Sequence, residues 1–173
     1  MEQNETGGFR QVPEANRSNR SVIEPRDVFE RVLALDSNLR LEDYYSERSV
    51  FYNPGGAAPL GTIVVSVKDH DGPNDVKSCL SREGVYRLAF QLSRDAFIER
   101  FGSVPPRPAK GELVRIRHDP SVLHELTPHP IYAWMRWVQV LCPTRAQFEE
   151  LMPLIETSVD TVKAKWEKRP ASG

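Results

Sequence analysis

The sequence predicts an α+β fold, in which an antiparallel sheet of about four to six strands has N-terminal, middle and C-terminal helices packed on one face. Two observations support this class. Strand-like segments with alternating apolar residues follow one another over short links, which is typical of antiparallel pairing. Helical patterns occur near the start, in the middle and at the end of the chain, without the regular β-α-β alternation of a parallel sheet.

The length of the chain suits one domain with a tail. Of the 173 residues, residues 1–23 are rich in polar side chains and lack an apolar period, so we predict a disordered tail there. Residues 24–169 would then form a single α+β domain.

Charge and hydropathy argue against several partner classes. The formal net charge of −1 provides no overall attraction for nucleic acid or an acidic membrane. The longest aliphatic run, Ile63–Val65, is far shorter than the ~20 apolar residues of a membrane span, and residues 1–10 lack the apolar core of a signal peptide.

Cys79 and Cys142 have no C-x-x-C spacing and fit free thiols. We therefore predict a cytoplasmic protein without a membrane partner. The oligomeric state is left open.

The first predicted elements are a helix and a hairpin. Pro25 suits the first turn of a helix, and apolar residues recur at helical spacing to about residue 36. Residues 41–45 and 49–52 have the composition of short strands, with a turn predicted over 46–48.

Two longer strands follow. The β-branched segment 61–68 should place Ile63, Val65 and Val67 on one face. Residues 84–92 form the next strand. Their alternation predicts one face with Tyr86, Leu88, Phe90 and Leu92, and another with Val85, Arg87, Ala89 and Gln91.

Two helices and one strand complete the prediction. Ser93 is placed to cap a short helix that Gly102 ends. Residues 137–141 form the last strand, and Thr144 with Gln147 has capping-box spacing at the start of the C-terminal helix. Pro153 lies inside that helix and should kink or restart it. The proline-rich segment 103–128 is left unassigned, although residues 113–118 alternate like a strand.

The segment Thr127–Pro143 is the strongest candidate for function. His129 lies between two prolines, and Tyr132 and Trp134 precede the last strand. Tyrosine and tryptophan combine an apolar body with a polar tip, which suits a pocket wall. Because histidine titrates near neutral pH, His129 could serve as a polar contact or as a catalytic proton-transfer group. The alternative is that these residues only pack the core and its rim.

Arg87 is the second candidate because it lies in the middle of a predicted strand. If its face is covered, the guanidinium must pair or bind an anion. Tyr86 is adjacent and completes the predicted ligand-binding set of Tyr86, Arg87, Tyr132 and Trp134 around His129. If the face is open to water, Arg87 is an ordinary surface residue.

Three weaker patterns favour structural interpretations. Asp69, His70, Asp71 and Asp75 resemble metal ligands, but side chains one residue apart on a polar loop are more typical of a solvated turn, so no metal is predicted. Cys142 precedes a helix but fits a buried thiol. The basic segment 107–117 lacks the charge and stacking aromatics of a nucleic-acid surface. Walker and G-x-G-x-x-G loops are absent from the sequence, and no cofactor is predicted.

Several segments together resemble a bacterial domain family of unknown function. They are V-F-Y-N-P (50–54), G-T-I-V-V (61–65), S-R-E-G-V-Y-R-L-A-F-Q-L-S-R-D-A-F-I-E-R-F-G (81–102) and H-P-I-Y-A-W-M-R-W-V-Q-V-L-C-P (129–143). The last corresponds to the family pattern H-P-x-Y-x-W-M-x-W-V-x-V-L-x-P. The resemblance covers about residues 25–168 and implies an architecture without a known activity. More remotely, the layout is similar to the MmcQ/YjbR-like double-wing proteins, a family named for suspected DNA binding.

These observations leave three functional hypotheses. The first is a domain that binds a small ligand, which Arg87 would allow to be anionic, or a partner in an aromatic pocket. The second is a cofactor-free enzyme of the isomerase, cyclase or lyase type, in which His129 acts as acid or base. The third is a weak DNA-binding module that uses residues 107–117. The first is our leading prediction.

Overall fold

The computed structural model describes residues 19–169 and has the predicted α+β architecture. Residues 1–18, most of the predicted tail 1–23, lie outside this range. The six strands form one antiparallel sheet in the order β1-β2-β3-β4-β6-β5. The helices are α1 (Pro25–Leu33), α2 (Arg94–Phe101) and α3 (Arg145–Glu167), and the strands are β1 (Leu39–Tyr44), β2 (Glu47–Tyr52), β3 (Thr62–Lys68), β4 (Arg87–Gln91), β5 (Leu126–Pro128) and β6 (Trp137–Leu141).

One face of the sheet, which we call the helical face, packs against the helices. α1 contacts β1 and β2, and α3 contacts β2, β3 and β4. Phe97 from α2 is fully buried in the same core. Side chains that alternate along the strands supply the other half of this core, because residues two apart point the same way. They include Val50, Val65, Leu88, Phe90, Val138 and Val140.

The opposite face, which we call the loop face, is covered by irregular segments. It carries Glu47 and Ser49 from β2, Ser66 and Lys68 from β3, Arg87 and Ala89 from β4, and Gln139 from β6. Ser49 pairs with Ser66, and Lys68 pairs with Arg87 across neighbouring strands. Cross-strand partners have adjacent side chains, so the register gathers these polar groups at the sheet centre.

A β-bulge corrects the predicted face of Ile63. The pairing of β2 with β3 shifts register, from Val50 with Val65 to Phe51 with Ile63. The extra residue, Val64, reverses the side-chain order at the start of β3, because a one-residue shift exchanges the faces. Ile63 therefore lies with Ser66 at a cavity on the loop face, whereas Val65 and Val67 remain in the core as predicted.

The predicted hairpin is present, but its turn is tighter than expected. β1 and β2 pair as far as Tyr44 with Glu47, so Tyr45 and Ser46 alone connect them. Both have positive φ, 46° and 63°. This is the two-residue type I′ geometry that favours Asn and Gly, and neither residue gives that signal.

The segment between α2 and β5 contains no regular strand or helix before residue 126. Residues 113–118, which alternate like a strand in sequence, therefore form no strand, although their alternation buries Val114 and leaves Leu113 and Arg115 exposed. Leu123 makes an isolated parallel bridge to Leu141.

The C-terminal helix begins with the predicted capping box. Thr144 Oγ1 accepts from the backbone N–H of Gln147, and the Gln147 side chain accepts from the backbone N–H of Thr144. Pro153 lies inside α3 without dividing it, so the helix does not restart there.

The chain just before α1 is joined to the start of α3. Ile23 N–H donates to Pro143 O at 3.0 Å, and Arg145 N–H donates to Ser21 O at 2.9 Å. The side chain of Ile23 is buried, and Arg145 pairs with Asp27 at 2.6 Å. Among the described residues, no helix has the length and apolar character needed to cross a membrane.

Candidate functional site

The loop face has a buried ion cluster at its centre. Arg87 is only 1% exposed, and its two terminal nitrogens donate to the two carboxylate oxygens of Asp75 at 2.9 and 2.7 Å. Lys68 Nζ donates to the same carboxylate at 2.9 Å. Burial alone would raise the pKa of Asp75, but hydrogen bonds and charges from Arg87 and Lys68 outweigh it and hold that pKa well below its usual range.

Glu47 adds a second carboxylate to the cluster. One of its oxygens lies 3.6 Å from Lys68 Nζ and 3.7 Å from an Arg87 nitrogen. Its other oxygen accepts a hydrogen bond from the Ser66 hydroxyl. The formal charges of the four ionised side chains cancel, as expected for a buried cluster.

Hydrogen bonds fasten two irregular segments over this face. Ser78, in the loop between β3 and β4, donates its hydroxyl proton to Gln139 Oε1 at 2.9 Å. The amide nitrogen of Gln139 donates to Pro120 O at 2.8 Å. Together with Asp75 from the same loop, these contacts bury strand side chains that would otherwise be exposed.

His129 lies at the edge of the cluster, in the turn that follows β5. Its Nδ1 accepts the backbone N–H groups of Ile131 at 3.1 Å and Tyr132 at 3.2 Å. Because Nδ1 is an acceptor, the neutral ring carries its proton on Nε2. Burial lowers the pKa of His129 well below its ordinary value, and the positive charges of Arg87 and Lys68 lower it further, against an opposing effect of Asp75. His129 is therefore neutral at physiological pH.

A cavity of about 240 Å³ opens beside His129 on the loop face. Its wall combines polar groups at the sheet with aromatic rings around them. The rings come from the β1–β2 hairpin, from the turn after β5 and from the start of β6. The polar lining residues are Glu47, Ser49, Ser66 and His129, and the aromatic ones are Tyr44, Tyr45, Tyr132 and Trp137; Ile63, Ala89 and Met135 complete the lining.

Ser49 differs from the other polar residues of this wall. It is 1% exposed, and its hydroxyl oxygen is the one fully buried side-chain nitrogen or oxygen atom without a hydrogen-bond partner in residues 19–169. A group of this kind costs about 1–3 kcal/mol when nothing pairs with it. Such exceptions in native structures call for an explanation, and a bound molecule is one.

The hairpin carries exposed aromatic rings at the mouth of the cavity. Tyr45 is 82% exposed, and its ring makes an edge contact with Tyr44 at 4.4 Å between centroids. Tyr44 also contacts Phe51 at 5.7 Å. On the other side, Tyr132 stacks at a tilt on His129, with centroids 5.0 Å apart.

The structure brings together some of the predicted site residues. His129 and Tyr132 line the cavity, and Arg87 lies in the adjoining cluster, where Asp75 occupies both of its terminal nitrogens. Tyr86 packs in the core and donates its hydroxyl proton to Ile23 O at 2.6 Å, and its burial raises the pKa of that phenol. Trp134 is partly buried, with the Arg107 guanidinium 4.7 Å from its ring centroid. Tyr86 and Trp134 lie outside the lining of this cavity.

Five residues of the cavity wall were not predicted as site residues from the sequence: Tyr44, Tyr45, Glu47, Ser49 and Ser66. A partial signal for two of them was present, since strand parity places Glu47 and Ser49 on the face opposite Val50 and Tyr52, although Arg48 and Phe51 interrupt the pattern. A polar stripe next to a strand with a buried arginine could have indicated a covered polar face.

Asp71 and Cys142, two weaker candidates from the sequence, both contact backbone groups. The Asp71 carboxylate accepts the backbone N–H groups of Leu80 and Ser81; burial would raise its pKa, but these hydrogen bonds outweigh burial and lower it. Cys142 is buried, with its sulfur 3.5 Å from Gly84 O. In residues 19–169, no group of three or more His, Cys, Asp or Glu side chains is arranged to hold a metal ion.

The fold and this cavity define the class of protein: a small α+β domain whose sheet has one face covered by helices and a polar, loop-covered face with a pocket. The sequence matches the profile of DUF6194, a family of unknown function, over residues 22–171. The chain belongs to this family, in agreement with the predicted resemblance to a family of unknown function. Searches of curated proteins and of solved structures gave no significant match, and the relation to the MmcQ/YjbR proteins stays a prediction.

Proposed function

We propose that this domain binds a small organic molecule in the cavity on the loop face. The observation that supports this most is the Ser49 hydroxyl, which is enclosed at the cavity wall without a hydrogen-bond partner. Rotation of the Ser49 side chain about χ1 would bring Oγ from its buried position to the cavity, where a ligand that pairs with it would remove the free-energy cost of leaving this group unsatisfied. The sequence-based leading hypothesis of an aromatic ligand pocket agrees with this proposal, but most of the wall consists of other residues.

His129 would provide the second polar contact. Its proton lies on Nε2, at the ring position opposite the occupied Nδ1, so it can donate a hydrogen bond to an acceptor on the ligand. Tyr132 packs on the imidazole and would cover the ligand from the same side. Arg87 acts as a positioning residue in this proposal, because its guanidinium fixes Asp75 in the adjoining cluster and, after burial, adds to the effects that lower the pKa of the imidazole.

The contacts of His129 favour ligand binding over acid or base catalysis. A general base accepts a proton, and a ring nitrogen must be free to take it. Nδ1 is occupied by two backbone N–H groups, Nε2 already carries the proton, and burial with nearby positive charge lowers the pKa of the ring. We therefore assign His129 as a neutral hydrogen-bond donor.

The test compares two buried serines in a fragment screen followed by protein NMR. Ser49→Ala removes the unpaired hydroxyl at the cavity, and Ser158→Ala removes a buried hydroxyl from α3, away from the loop face. Fragments should shift the amide signals of Ser49, Ser66 and Tyr132 in the unmodified chain. Ser49→Ala should weaken their binding at least about fivefold, the equivalent of one hydrogen bond.

The free energy of unfolding of each variant distinguishes the loss of a ligand contact from a general disturbance of the fold. Ser49→Ala should leave the free energy of unfolding unchanged or raise it by about 1 kcal/mol, because no hydrogen bond of the ligand-free protein is lost. Ser158→Ala should leave fragment binding unchanged. The proposal would be abandoned if a diverse fragment set moved none of the cavity signals, or if both serine variants bound fragments as well as the unmodified chain.

A further inference from the structure

We infer that the ligand of this cavity is a small organic cation of the alkylated ammonium class. This inference rests on the proposed binding function and specifies its chemistry. Glu47 is the one lining residue with a formal charge at neutral pH, because His129 is held neutral. Four of the other ten lining residues are tyrosine or tryptophan. A negative charge and several electron-rich ring faces together form the type of site that binds quaternary ammonium groups.

The aromatic rings surround the cavity from separate parts of the chain. Tyr44 and Tyr45 belong to the β1–β2 hairpin, Tyr132 to the turn after β5, and Trp137 to the start of β6. Each ring has a negative electrostatic potential on its face, and tryptophan provides the strongest. An alkylated ammonium group offers an apolar surface with a spread positive charge, so it can contact all of these rings without a matched set of hydrogen bonds.

The charge of Glu47 is less fully neutralised than that of Asp75. Asp75 takes the three short contacts of the cluster, between 2.7 and 2.9 Å, from Arg87 and Lys68. Glu47 lies 3.6 and 3.7 Å from the same two cations, and its side chain is 23% exposed. Ser66 fixes the Glu47 carboxylate by a hydrogen bond. Glu47 is therefore the member of the cluster that can attract a further cation.

The size of the cavity limits the ligand. Pockets for drug-sized molecules have volumes of about 300–1,000 Å³, and this cavity has about 240 Å³. A trimethylammonium group on a short arm suits such a space. An arm with a hydroxyl or carbonyl oxygen would also pair with Ser49 and with the protonated Nε2 of His129.

The experiment is a calorimetric and NMR titration of the full chain with choline and with its neutral isostere, 3,3-dimethyl-1-butanol. The two molecules have the same shape, but only choline has a positive charge. Choline should bind at least about tenfold more tightly than the isostere, a ratio within the range of a desolvated cation–π contact. Choline should also shift the indole signal of Trp137. Tetramethylammonium and benzyltrimethylammonium extend the test to smaller and larger cations.

Three variants test the assigned contacts. Glu47→Gln keeps an oxygen that can accept from Ser66 and removes the charge, so choline binding should weaken at least about threefold while isostere binding stays the same. Tyr45→Phe keeps an aromatic ring and should bind choline normally, whereas Tyr45→Leu should weaken binding about threefold. Tyr45 is exposed, so both of its variants should fold.

The outcomes distinguish the inference from the proposed function. Equal affinity for choline and the isostere, or equal binding by Tyr45→Phe and Tyr45→Leu, would overturn the cation inference and leave the cavity as a site for neutral molecules. The inference is also overturned if none of the three cations binds while other fragments occupy the cavity. If neither cations nor fragments bind there, the proposed function fails with it.

Discussion

The helical face and the loop face share four central strands, yet they are covered in different ways. Regular helices bury aliphatic and aromatic side chains on the helical face, and the strands there follow the two-residue alternation except at the bulge in β3. Irregular segments bury two cations, the carboxylate of Asp75 and a neutral histidine on the loop face, and they partly bury the carboxylate of Glu47. Nonspecific apolar contact stabilises the first face, whereas the second depends on individual partners. The comparison teaches that the second face is the more specific, because each buried charge there needs its own partner.

The largest expected effects on the free energy of unfolding come from one buried substitution on each face. Asp75→Ala leaves Arg87 and Lys68 buried without their main partner and should lower the free energy of unfolding by about 3–5 kcal/mol. Phe90→Ala, on the helical face, should cost a similar 3–5 kcal/mol by leaving a cavity. Urea denaturation followed by circular dichroism measures both.

A rescue experiment then distinguishes the cost of an unpaired buried charge from the cost of a cavity. Adding Lys68→Met, Arg87→Met and Glu47→Gln to Asp75→Ala should recover at least half of the loss, because no member of the cluster is then left charged without a partner and apolar groups often replace a buried ion cluster at little cost. The comparison of faces breaks down if Asp75→Ala costs less than about 1 kcal/mol, as for a surface ion pair.

The next effect is a pH dependence that arises from His129. Its folded-state pKa is below the ordinary value near 6.5, so on acidification the unfolded chain takes up a proton that the folded chain does not. Stability should therefore fall as pH drops below about 6.5, by up to about 1.4 kcal/mol per pH unit. His129→Asn keeps an acceptor for the backbone N–H groups of Ile131 and Tyr132 and should remove this slope. Unfolding free energies at pH 7.5, 6.5 and 5.5 test it, and identical slopes in both proteins would contradict the assignment.

Asp75 should act in a different and more acidic pH range. Its folded-state pKa is depressed, so its stabilising contribution is complete above the ordinary carboxyl pKa near 4 and is lost as pH falls below that value. Asp75→Asn should show a shallower loss of stability than the unmodified chain between about pH 4 and pH 2. The measurement is acid unfolding by fluorescence, with Asp119→Asn as an exposed control carboxylate. An unchanged acid slope in Asp75→Asn would show that its charge does not stabilise the loop face.

The smallest expected effect concerns the hairpin at the mouth of the cavity. Ser46→Gly should raise the free energy of unfolding by about 0.5–1 kcal/mol, because glycine adopts a positive φ without strain. Ser37→Gly is the matched control: it is also an exposed serine but has no positive φ, and it should be neutral or destabilising. Thermal unfolding measures both, and equal shifts would show that the turn is not strained.

The sequence predicts the helical face better than the loop face for a physical reason. Alternation along β4 places Leu88 and Phe90 in the core because burial of apolar side chains follows the strand period. The capping box at Thr144 is equally local and is confirmed. The bulge that turns Ile63 to the loop face arises from the pairing of β2 with β3. The residue pattern of β3 alone does not predict that pairing.

The site depends even more on contacts between distant residues. The position of Arg87 within a predicted strand indicates that its charge needs a partner. Asp75 lies in a polar loop with no periodic pattern, so no local feature of the sequence identifies Asp75 as that partner. Ser49 is an ordinary serine in sequence, and only the packed structure shows that its hydroxyl is unpaired. His129 and Tyr132 could be singled out because proline and aromatic residues cluster around them within one short segment.

The joint between residues 21–23 and the start of α3 has a consequence for how this domain can be shortened or rearranged. Ser21 and Ile23 exchange backbone hydrogen bonds with Arg145 and Pro143, so the chain just before α1 is held against the start of α3. A version beginning at residue 24 would expose the Pro143 carbonyl and the Arg145 amide and would lose the buried Ile23 side chain. Loss of these contacts should therefore loosen α1 and the start of α3 together.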